Sequence, residues 1–222
     1  MKNDLKLPFE ISDKVAEEFM TSMEGFRKLL SYYQSAILEI ETKFRVLNNQ
    51  FTAENNYNPI ESIKSRVKSP ESILEKLQRK NKEISIKSVE ENLDDVAGVR
   101  VICSFIDDIY MLAECLLEQD DVKLIEMKDY IKNPKENGYR SLHLIVEIPI
   151  FLKKEKRPMR VEVQLRTIAM DFWASLEHKL RYKKNIDCEI ADMLSVELKD
   201  CAEKSAQLDV RMENVKNTIV KN

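Results

Sequence analysis

Residues 65–80, SRVKSPESILEKLQRK, have a pattern that suits the binding of phosphate groups. Ser69 is a good helix N-cap and Pro70 suits the first helical position, so the sequence predicts a helix from about residue 70. A helix N-terminus attracts anions, and cations surround this one. The candidate phosphate ligands on or just before the helix are Arg66, Lys68, Ser72, Lys76 and either Arg79 or Lys80. The alternative is a basic helix face that only meets solvent.

Two acidic residues, Asp95 and Glu162, are candidate ligands of a divalent cation. Asp95 opens the apolar run DVAGVRVIC, and Glu162 lies on the polar face of MRVEVQLR, which alternates at period two. Phosphoryl-type transfer uses cations to hold phosphate oxygens and carboxylates to bind Mg²⁺. Acids at strand ends are also common without function, so a solvent-facing Glu162 is the alternative.

Arg100 lies in the middle of that apolar run. A buried guanidinium is costly without an anionic partner, which either an internal carboxylate or a ligand phosphate could supply. In a regular strand Asp95 and Arg100, five residues apart, would face opposite ways. They share a face only if Asp95 precedes the pleat or Gly98 marks a bulge, and the sequence leaves both options open.

The stretch NPKENGYRSLHLIVEIP, residues 133–149, places one of only three glycines directly before an aromatic residue. Gly138 permits a turn of unusual φ, which would display the Tyr139 ring at a cleft edge for stacking. His143 falls in the strand that follows, on the face opposite the apolar residues. A lone histidine is often structural, and that alternative stays open.

Helices and strands intermix along the chain, which predicts an α+β fold built on a mixed sheet flanked by helices. Ser12 and Asp13 could cap one long N-terminal helix to about residue 51, or two helices that meet near Gly25. Residues 52–62, with Asn-Pro at 58–59, predict a loop. Strands are predicted at 95–103, 122–130, 141–148 and 159–166, and helices at 107–119 and from 167 to about 182.

The C-terminal segment repeats small or apolar residues at alternating steps of four and three. This seam comprises Leu194, Leu198, Cys201, Ser205, Leu208, Met212, Val215 and Ile219. Heptad-like spacing of this kind predicts self-association through a terminal helix. Packing of that helix on its own domain is the alternative.

Composition narrows the functional classes. The 222 residues suit one compact domain with appended helices, and the net charge of −3 provides no global basic field for nucleic acid. Single-stranded RNA therefore stays open as a partner without support from charge. The four cysteines form no CxxC pair, which favours a reducing, cytoplasmic setting. No apolar run approaches the roughly 20 residues of a membrane span, so we expect neither export nor membrane insertion.

Four segments taken in order resemble the synthetase domain of RelA/SpoT-type alarmone synthetases: SRVKSPESILEKLQRK, DDVAGVRV, NPKENGYRSLHLIVEI and VEVQLRTIAMDFWASLEHKLRYKK. The likeness spans roughly residues 60–184, and the short chain looks like a stand-alone small alarmone synthetase. The resemblance implies a nucleotidyltransferase-like fold. It also implies transfer of pyrophosphate from ATP to the ribose 3′-hydroxyl of GDP or GTP, with release of AMP. We expect an N-terminal helical segment at 1–58, the synthetase core at 59–184 and a C-terminal helix at 185–222.

The resemblance also implies roles for individual residues. ATP phosphates would be held by Arg66, Lys68, Ser72, Lys76, Arg79 and Arg100. Mg²⁺ would be bound by Asp95 and Glu162, and Glu162 would orient or deprotonate the attacking hydroxyl. The acceptor nucleotide would meet Tyr139, stacked on guanine, together with Lys128, Lys135, His143, Gln164 and Asp171.

The chain departs from the family pattern at two places. The family often has Asn where this chain has Asp171, which leaves base recognition open. It often has Lys-Pro-Asn-Gly where this chain reads Lys-Glu-Asn-Gly at 135–138, which could alter how the loop is held.

Neither histidine is followed by Asp, so we expect no alarmone hydrolase activity. The chain also has no room for the long regulatory tail of the large relatives. The resemblance extends the predicted self-association to a homotetramer. Two rival functions remain: a catalytically silent module that binds nucleotide or RNA, and a nucleotidyltransferase that releases pyrophosphate.

Overall fold

The computed structural model describes residues 13–55, 57–181 and 188–220. Within these ranges helices and strands follow one another in the order α1 Asp13–Asn55, β1 Ile60–Val67, α2 Pro70–Arg79, α3 Ile86–Asn92, β2 Ala97–Cys103, α4 Ile106–Leu117, β3 Lys123–Asp129, β4 Leu142–Phe151, β5 Lys156–Thr167, α5 Ile168–Arg181 and α6 Cys188–Val220. No helix of the described ranges is long and apolar enough to cross a membrane.

The five strands form one mixed sheet in the order β1-β2-β5-β4-β3. Strands β2 and β5 run parallel, and the other three neighbouring pairs run antiparallel. The predicted α+β fold with a mixed sheet is therefore confirmed. β5 lies at the centre of the sheet, between β2 and β4, so residues of both neighbouring strands lie beside its polar side chains.

Period-two alternation places the side chains of β5 as the sequence predicts. Val161, Val163 and Leu165 are fully buried against the core, while Glu162 and Gln164 on the other face are partly exposed. In β4, apolar residues alternate with the partly exposed His143 in the same way. One face of the sheet is thus core and the other is a polar floor.

The long helix α1 covers the core face of the sheet. It runs without a break through Gly25, so the one-helix alternative holds. Its own residues Ile40 and Phe44 face the sheet and are fully buried. Ser12, the other predicted cap residue, lies outside the described residues.

The predicted loop at 52–62 is too long, because only 57–59 are loop among its described residues. Helix α1 continues to Asn55, and β1 begins at Ile60. In the β1 sequence IESIKSRV, Ile60 and Ile63 lie three residues apart, which breaks the alternation of a regular strand. A bulge between Ile60 and Ser62 shifts the register and accounts for this spacing. A strand with a bulge loses the period-two signal by which strands are recognised. The short helix α3, capped by Ser85, was not predicted either.

The C-terminal helix α6 packs on its own chain. The Trp173 indole of α5 donates a hydrogen bond to the Leu198 carbonyl at 2.7 Å, and the Thr167 hydroxyl donates to Asp209 at 2.6 Å. Leu208 and Val215 of the predicted seam, by contrast, are more than half exposed. The helix therefore docks with one face and leaves much of the seam open.

Gly138 is needed for two reasons where the 133–140 loop meets α6. Its φ is +89°, which L side chains rarely adopt, and a Cβ at this position would lie 2.5 Å from the Ala202 Cβ. The expected turn is present, and the close approach to α6 is a second constraint that the sequence did not reveal.

We predict that Gly138→Ala lowers the free energy of unfolding by about 1–3 kcal/mol, because the positive φ and the contact with Ala202 both penalise a Cβ. Urea unfolding measures the change. Gly98→Ala is the matched control, since a Cβ there would meet only the Arg66 carbonyl at 3.8 Å. The double variant Gly138→Ala/Ala202→Gly should recover part of the loss. Equal stability of Gly138→Ala and the wild type would contradict this account.

Candidate active site

A cavity of about 160 Å³ opens on the polar face of the sheet where β1, β2 and β5 lie side by side. Its lining comprises Lys64, Ser65, Arg66, Asp95, Gly98, Val99, Arg100, Glu162 and Gln164. Five residues predicted from sequence therefore meet around one hollow, although they come from three separate strands and a turn.

Asp95 lies just before β2, which begins at Ala97, so it is not bound by the alternation of the strand. No register shift occurs at Gly98, and the first of the two options is therefore correct. The Lys68 and Lys76 ammonium groups donate to Asp95 Oδ2 at 2.6 and 2.5 Å. Burial opposes ionisation, but these two hydrogen bonds and charges outweigh it and lower the pKa of Asp95.

Glu162 pairs across β2 with Gly98 and lies on the floor of the cavity. Gln164 Nε2 donates to its Oε2 at 2.9 Å, and His143 Nδ1 lies 3.2 Å from its Oε1. Burial and the charge of Asp95 oppose ionisation, yet the His143 and Gln164 contacts lower the pKa of Glu162. Glu162 is therefore an ionised carboxylate at neutral pH, held in one orientation.

The two carboxylates fit the demands of Mg²⁺. Asp95 Oδ1 is buried and has no hydrogen-bond partner among the described residues, which is costly unless a ligand completes it. Across the ranges that the structure describes, no group of three or more His, Cys, Asp or Glu side chains could cage a metal. Mg²⁺ is commonly held by one or two carboxylates together with substrate phosphates and water, so a pair suffices.

The predicted phosphate ligands are not equally placed. Arg66 and Arg100 line the cavity, and Lys68 and Lys76 reach its edge through Asp95. Other predicted ligands do not line it: Ser72 and Arg79 are exposed on α2. Ser69 caps that helix as predicted, since its side chain accepts a hydrogen bond from the Ser72 amide.

An aromatic cluster lies beside the cavity. The Tyr139 hydroxyl is 2.8 Å from His143 Nε2, and the Tyr130 ring meets both of these rings edge-on. The Lys135 ammonium lies 4.6 Å from the centroid of Tyr130 and 5.1 Å from that of Tyr139. Lys128, opposite His143 in the sheet, is instead paired with Glu126 at 2.7 Å. The cluster therefore brings together Tyr139, His143 and Lys135 and leaves Lys128 at the rim.

Asp171 on α5 is the anionic partner of Arg100. It is 7% exposed and contacts Arg100 and Arg166 through Oδ1, each at 3.4 Å, and Lys64 through Oδ2 at 2.9 Å. Burial and the neighbouring Arg166 charge lower the pKa of Arg100, while Asp171 opposes that shift. An internal carboxylate therefore supplies the partner that the sequence left undecided. Arg100 Nε is nevertheless buried, and the part of the chain that the structure describes offers it no partner.

Three residues of this region were not singled out from the sequence. Tyr130 directly follows β3, Lys64 lies in the unpredicted strand β1, and Arg166 is buried near the end of β5. Arg166 lies on the polar side of a strand that the sequence predicts. Its positive charge, next to a buried apolar segment, was the only sequence feature that could have drawn attention to it. Local sequence does not separate a buried arginine there from an exposed one.

Comparison with known proteins gives a consistent result. Residues 65–187 match the family described as "Region found in RelA / SpoT proteins". The chain is 46% identical over 203 residues to GTP pyrophosphokinase YwaC of Bacillus subtilis (strain 168), covering 91% of this chain and 96% of that protein. It is 34% identical over 194 residues to GTP pyrophosphokinase YjbM of the same organism, covering 87% and 90%.

Solved structures agree. The crystal structure of small alarmone synthetase 2 from Bacillus subtilis aligns with a TM-score of 0.77 at 44% identity, covering 87% of this chain and 98% of that one. Small alarmone synthetase 1 from Bacillus subtilis, bound to its product pppGpp, aligns with a TM-score of 0.79 at 34% identity, covering 88% and 98%.

We predict that Asp95→Asn destabilises the protein by about 1–3 kcal/mol at pH 7, because two ammonium groups lose their shared charged acceptor. A carboxyl group whose pKa is lowered by folding stabilises the folded state when the pH is above its unfolded-state pKa, which is about 3.9. This stabilisation is lost as the pH falls below that value. The difference between wild type and variant should therefore be constant from pH 7 to 5 and shrink towards pH 3. Urea unfolding across this range measures it.

The neighbouring Asp94→Asn serves as control, since its partner Arg160 is more exposed than either lysine. A difference between Asp95→Asn and wild type that did not change with pH would refute the electrostatic explanation.

Proposed function

The chain belongs to the RelA/SpoT family, and on this premise we propose that it transfers pyrophosphate from ATP to the ribose 3′-hydroxyl of GDP or GTP. AMP leaves, and the product is a guanosine tetra- or pentaphosphate of the stringent response. One observation carries the proposal most directly: Asp95 and Glu162 share a cavity with cationic walls, and one Asp95 oxygen is left without a partner. The two relatives whose alignments cover most of the chain are named GTP pyrophosphokinases.

The donor nucleotide is assigned to the cationic wall of the cavity. Arg66 and Arg100 line the space where ATP phosphates would lie, and Lys68 and Lys76 project towards it from the α2 side. Guanidinium groups bind phosphate oxygens in pairs, and ammonium groups act as point charges. Ser72, at the N-terminal turn of α2, and Arg79 are assigned outer contacts with the same phosphates.

The acceptor nucleotide is assigned to the aromatic cluster. Tyr139 would stack on guanine, and Lys135, now over the tyrosine rings, is long and exposed enough to turn to the acceptor phosphates. His143 is fixed at both ring nitrogens, by Tyr139 and Glu162, so it would present a constant surface to the acceptor. Gln164, Asp171 and, at the rim, Lys128 complete the predicted set.

Glu162 is assigned the role of general base. His143 and Gln164 lower its pKa against the effect of burial, so the carboxylate is ionised and its oxygens are free of a proton when the 3′-hydroxyl binds. The 3′-oxygen then bonds to the β-phosphorus of ATP, and the bond between that phosphorus and the α-phosphate oxygen breaks to release AMP. The cationic wall stabilises the charge that develops on the phosphate oxygens.

Asp95 and Glu162 would hold Mg²⁺, which would supply charge neutralisation at the transferred phosphates. The unpartnered Asp95 Oδ1 supports this assignment. We also propose that the protein acts in the cytoplasm, since Cys103, Cys115 and Cys201 are free thiols.

The rival of a catalytically silent binding module is less well supported. A module that only binds nucleotide gains nothing from two ionised carboxylates held close together, because their mutual repulsion opposes folding.

We predict AMP formation when the protein is incubated with ATP, GDP and Mg²⁺, and a loss of at least about 100-fold in kcat for Glu162→Gln, because the proton acceptor is removed. Nucleotide chromatography measures both. Glu147→Gln is the matched control, since this β4 carboxylate is paired with Lys123 of the edge strand β3, at 4.0 Å. AMP formation by Glu162→Gln at the wild-type rate would favour the silent module, and pyrophosphate release would favour a nucleotidyltransferase.

We further propose that the protein forms a homotetramer in which the α6 seam takes part. Four consecutive seam residues are each more than half exposed, which is unusual for apolar residues on a docked helix. They are Leu208, Met212, Val215 and Ile219. Packing of α6 on its own chain and an open seam are compatible, because Leu198 and Ser205 of the seam contact α5 while the last four seam residues stay exposed.

We predict a mass near four times the 26.0 kDa of the chain in light scattering at micromolar concentration. Leu208→Glu/Val215→Glu should reduce it, because charges on a buried seam are costly to desolvate. Val210→Glu, also exposed on α6 but off the seam, is the control. A wild-type mass of one chain would rule out the tetramer.

A further inference from the structure

Arg166 is a buried guanidinium near the end of β5 that is 4% exposed, and each of its three nitrogens donates a hydrogen bond. Its NH2 donates to the Tyr139 hydroxyl oxygen at 2.5 Å and to Gln164 Oε1 at 2.9 Å. Its Nη1 donates to Asp171 Oδ1 and its Nε to the Ser141 hydroxyl, each at 3.4 Å. Burying an arginine is costly, so a position that satisfies every side of the fork has a definite task.

Arg166 begins a continuous path of hydrogen bonds that ends at the proposed base. The Tyr139 hydroxyl also lies 2.8 Å from His143 Nε2, and His143 Nδ1 lies 3.2 Å from Glu162 Oε1. On its other side Arg166 reaches Asp171, which also contacts Arg100 on the wall assigned to ATP. One side chain thus contacts groups of both proposed nucleotide sites.

The directions of these hydrogen bonds follow from the chemistry of the groups. A guanidinium can only donate, so the Tyr139 oxygen accepts from Arg166 and its own proton is available for His143 Nε2. An ionised Glu162 can only accept, so the proton of a neutral His143 lies on Nδ1. Both requirements agree, and Arg166 therefore fixes the orientation of Tyr139 and the tautomer of His143 together.

We propose that Arg166 is a positioning residue for the acceptor nucleotide: it holds the Tyr139 ring and, through Tyr139 and His143, the orientation of Glu162. The inference rests on the proposed function for its consequence in catalysis, but the hydrogen-bond path itself can be tested without turnover. Lysine cannot replace the arginine, because one ammonium group cannot reach Tyr139, Gln164 and Asp171 with the geometry of the fork.

The chain contains a matched control in the same strand. Arg157, near the start of β5, is ion-paired with Glu90 and lies 5.1 Å from the centroid of the Tyr32 ring. Arg166 is paired with Asp171 and lies 5.1 Å from the centroid of Tyr139. Arg157→Lys therefore reproduces the chemical change of Arg166→Lys far from the cavity.

The test compares Arg166→Lys with Arg157→Lys in steady-state kinetics and in GDP titration by calorimetry. For Arg166→Lys we expect the GDP dissociation constant and the acceptor KM to rise by roughly 10- to 100-fold, the range for hydrogen bonds to charged groups. The KM for ATP should change far less, and Arg157→Lys should resemble the wild type. In a Tyr139→Phe background, Arg166→Lys should raise the acceptor KM by a smaller factor than in the wild type, because the shared hydroxyl is gone.

Histidine NMR tests the path directly, since the chain has only two histidines. With ¹⁵N-labelled histidine, Arg166→Lys should shift the ring signals of His143 and leave those of the exposed His178 in place. If Arg166→Lys fails to fold, Tyr139→Phe breaks the same path from its other side and should shift the His143 signals in its place.

Unmoved His143 signals in a folded Arg166→Lys or Tyr139→Phe variant, or an acceptor KM that does not change while kcat falls, would overturn the proposal. A wild-type protein that binds GDP but makes no AMP would instead refute the proposed function. In that case the NMR and calorimetry results still decide the role of Arg166.

Discussion

Two carboxylates share one small cavity, and both must stay ionised there. Burial opposes each charge, and the charge of Asp95 opposes that of Glu162. Each acid is therefore given donors of its own. Lys68 and Lys76 offset the cost at Asp95, and His143 and Gln164 do so at Glu162. A pair of ionised acids next to further cations is an arrangement suited to phosphate chemistry, and folding alone gives no reason for it.

The sheet makes this arrangement possible. Parallel pairing of β2 with β5 aligns Gly98 with Glu162, and antiparallel pairing of β1 with β2 aligns Gly98 with Arg66. Both wall and floor of the cavity are therefore set by backbone hydrogen bonds, which are rigid compared with a loop. Because β5 also pairs with β4, on the side opposite β2, His143 of β4 can contact Glu162.

The 133–140 loop, which carries the proposed acceptor residue Tyr139, packs against the C-terminal helix. Gly138 lies against Ala202, and Tyr139 packs with Trp173 and Leu198 in a small apolar cluster. The aromatic ring assigned to guanine therefore rests on α6, whose outer seam remains exposed. Self-association through that seam would involve a helix that directly contacts the proposed acceptor site.

The sequence by itself determined the elements with strong local signals. The Ser69-Pro70 start of α2, the alternation of β4 and β5, the turn at Gly138 and the family motifs could all be read from neighbouring residues. Only the tertiary structure decided which charges are partners: Asp171 pairs with Arg100 and Lys64, which lie 71 and 107 residues away in the chain. It also decided that β1 is a strand with a bulge and that Arg166 is buried. The physical reason is that caps, turns and periodicity depend on a few adjacent residues. The state of a buried charge, in contrast, depends on what the rest of the fold brings to within a few ångströms of it.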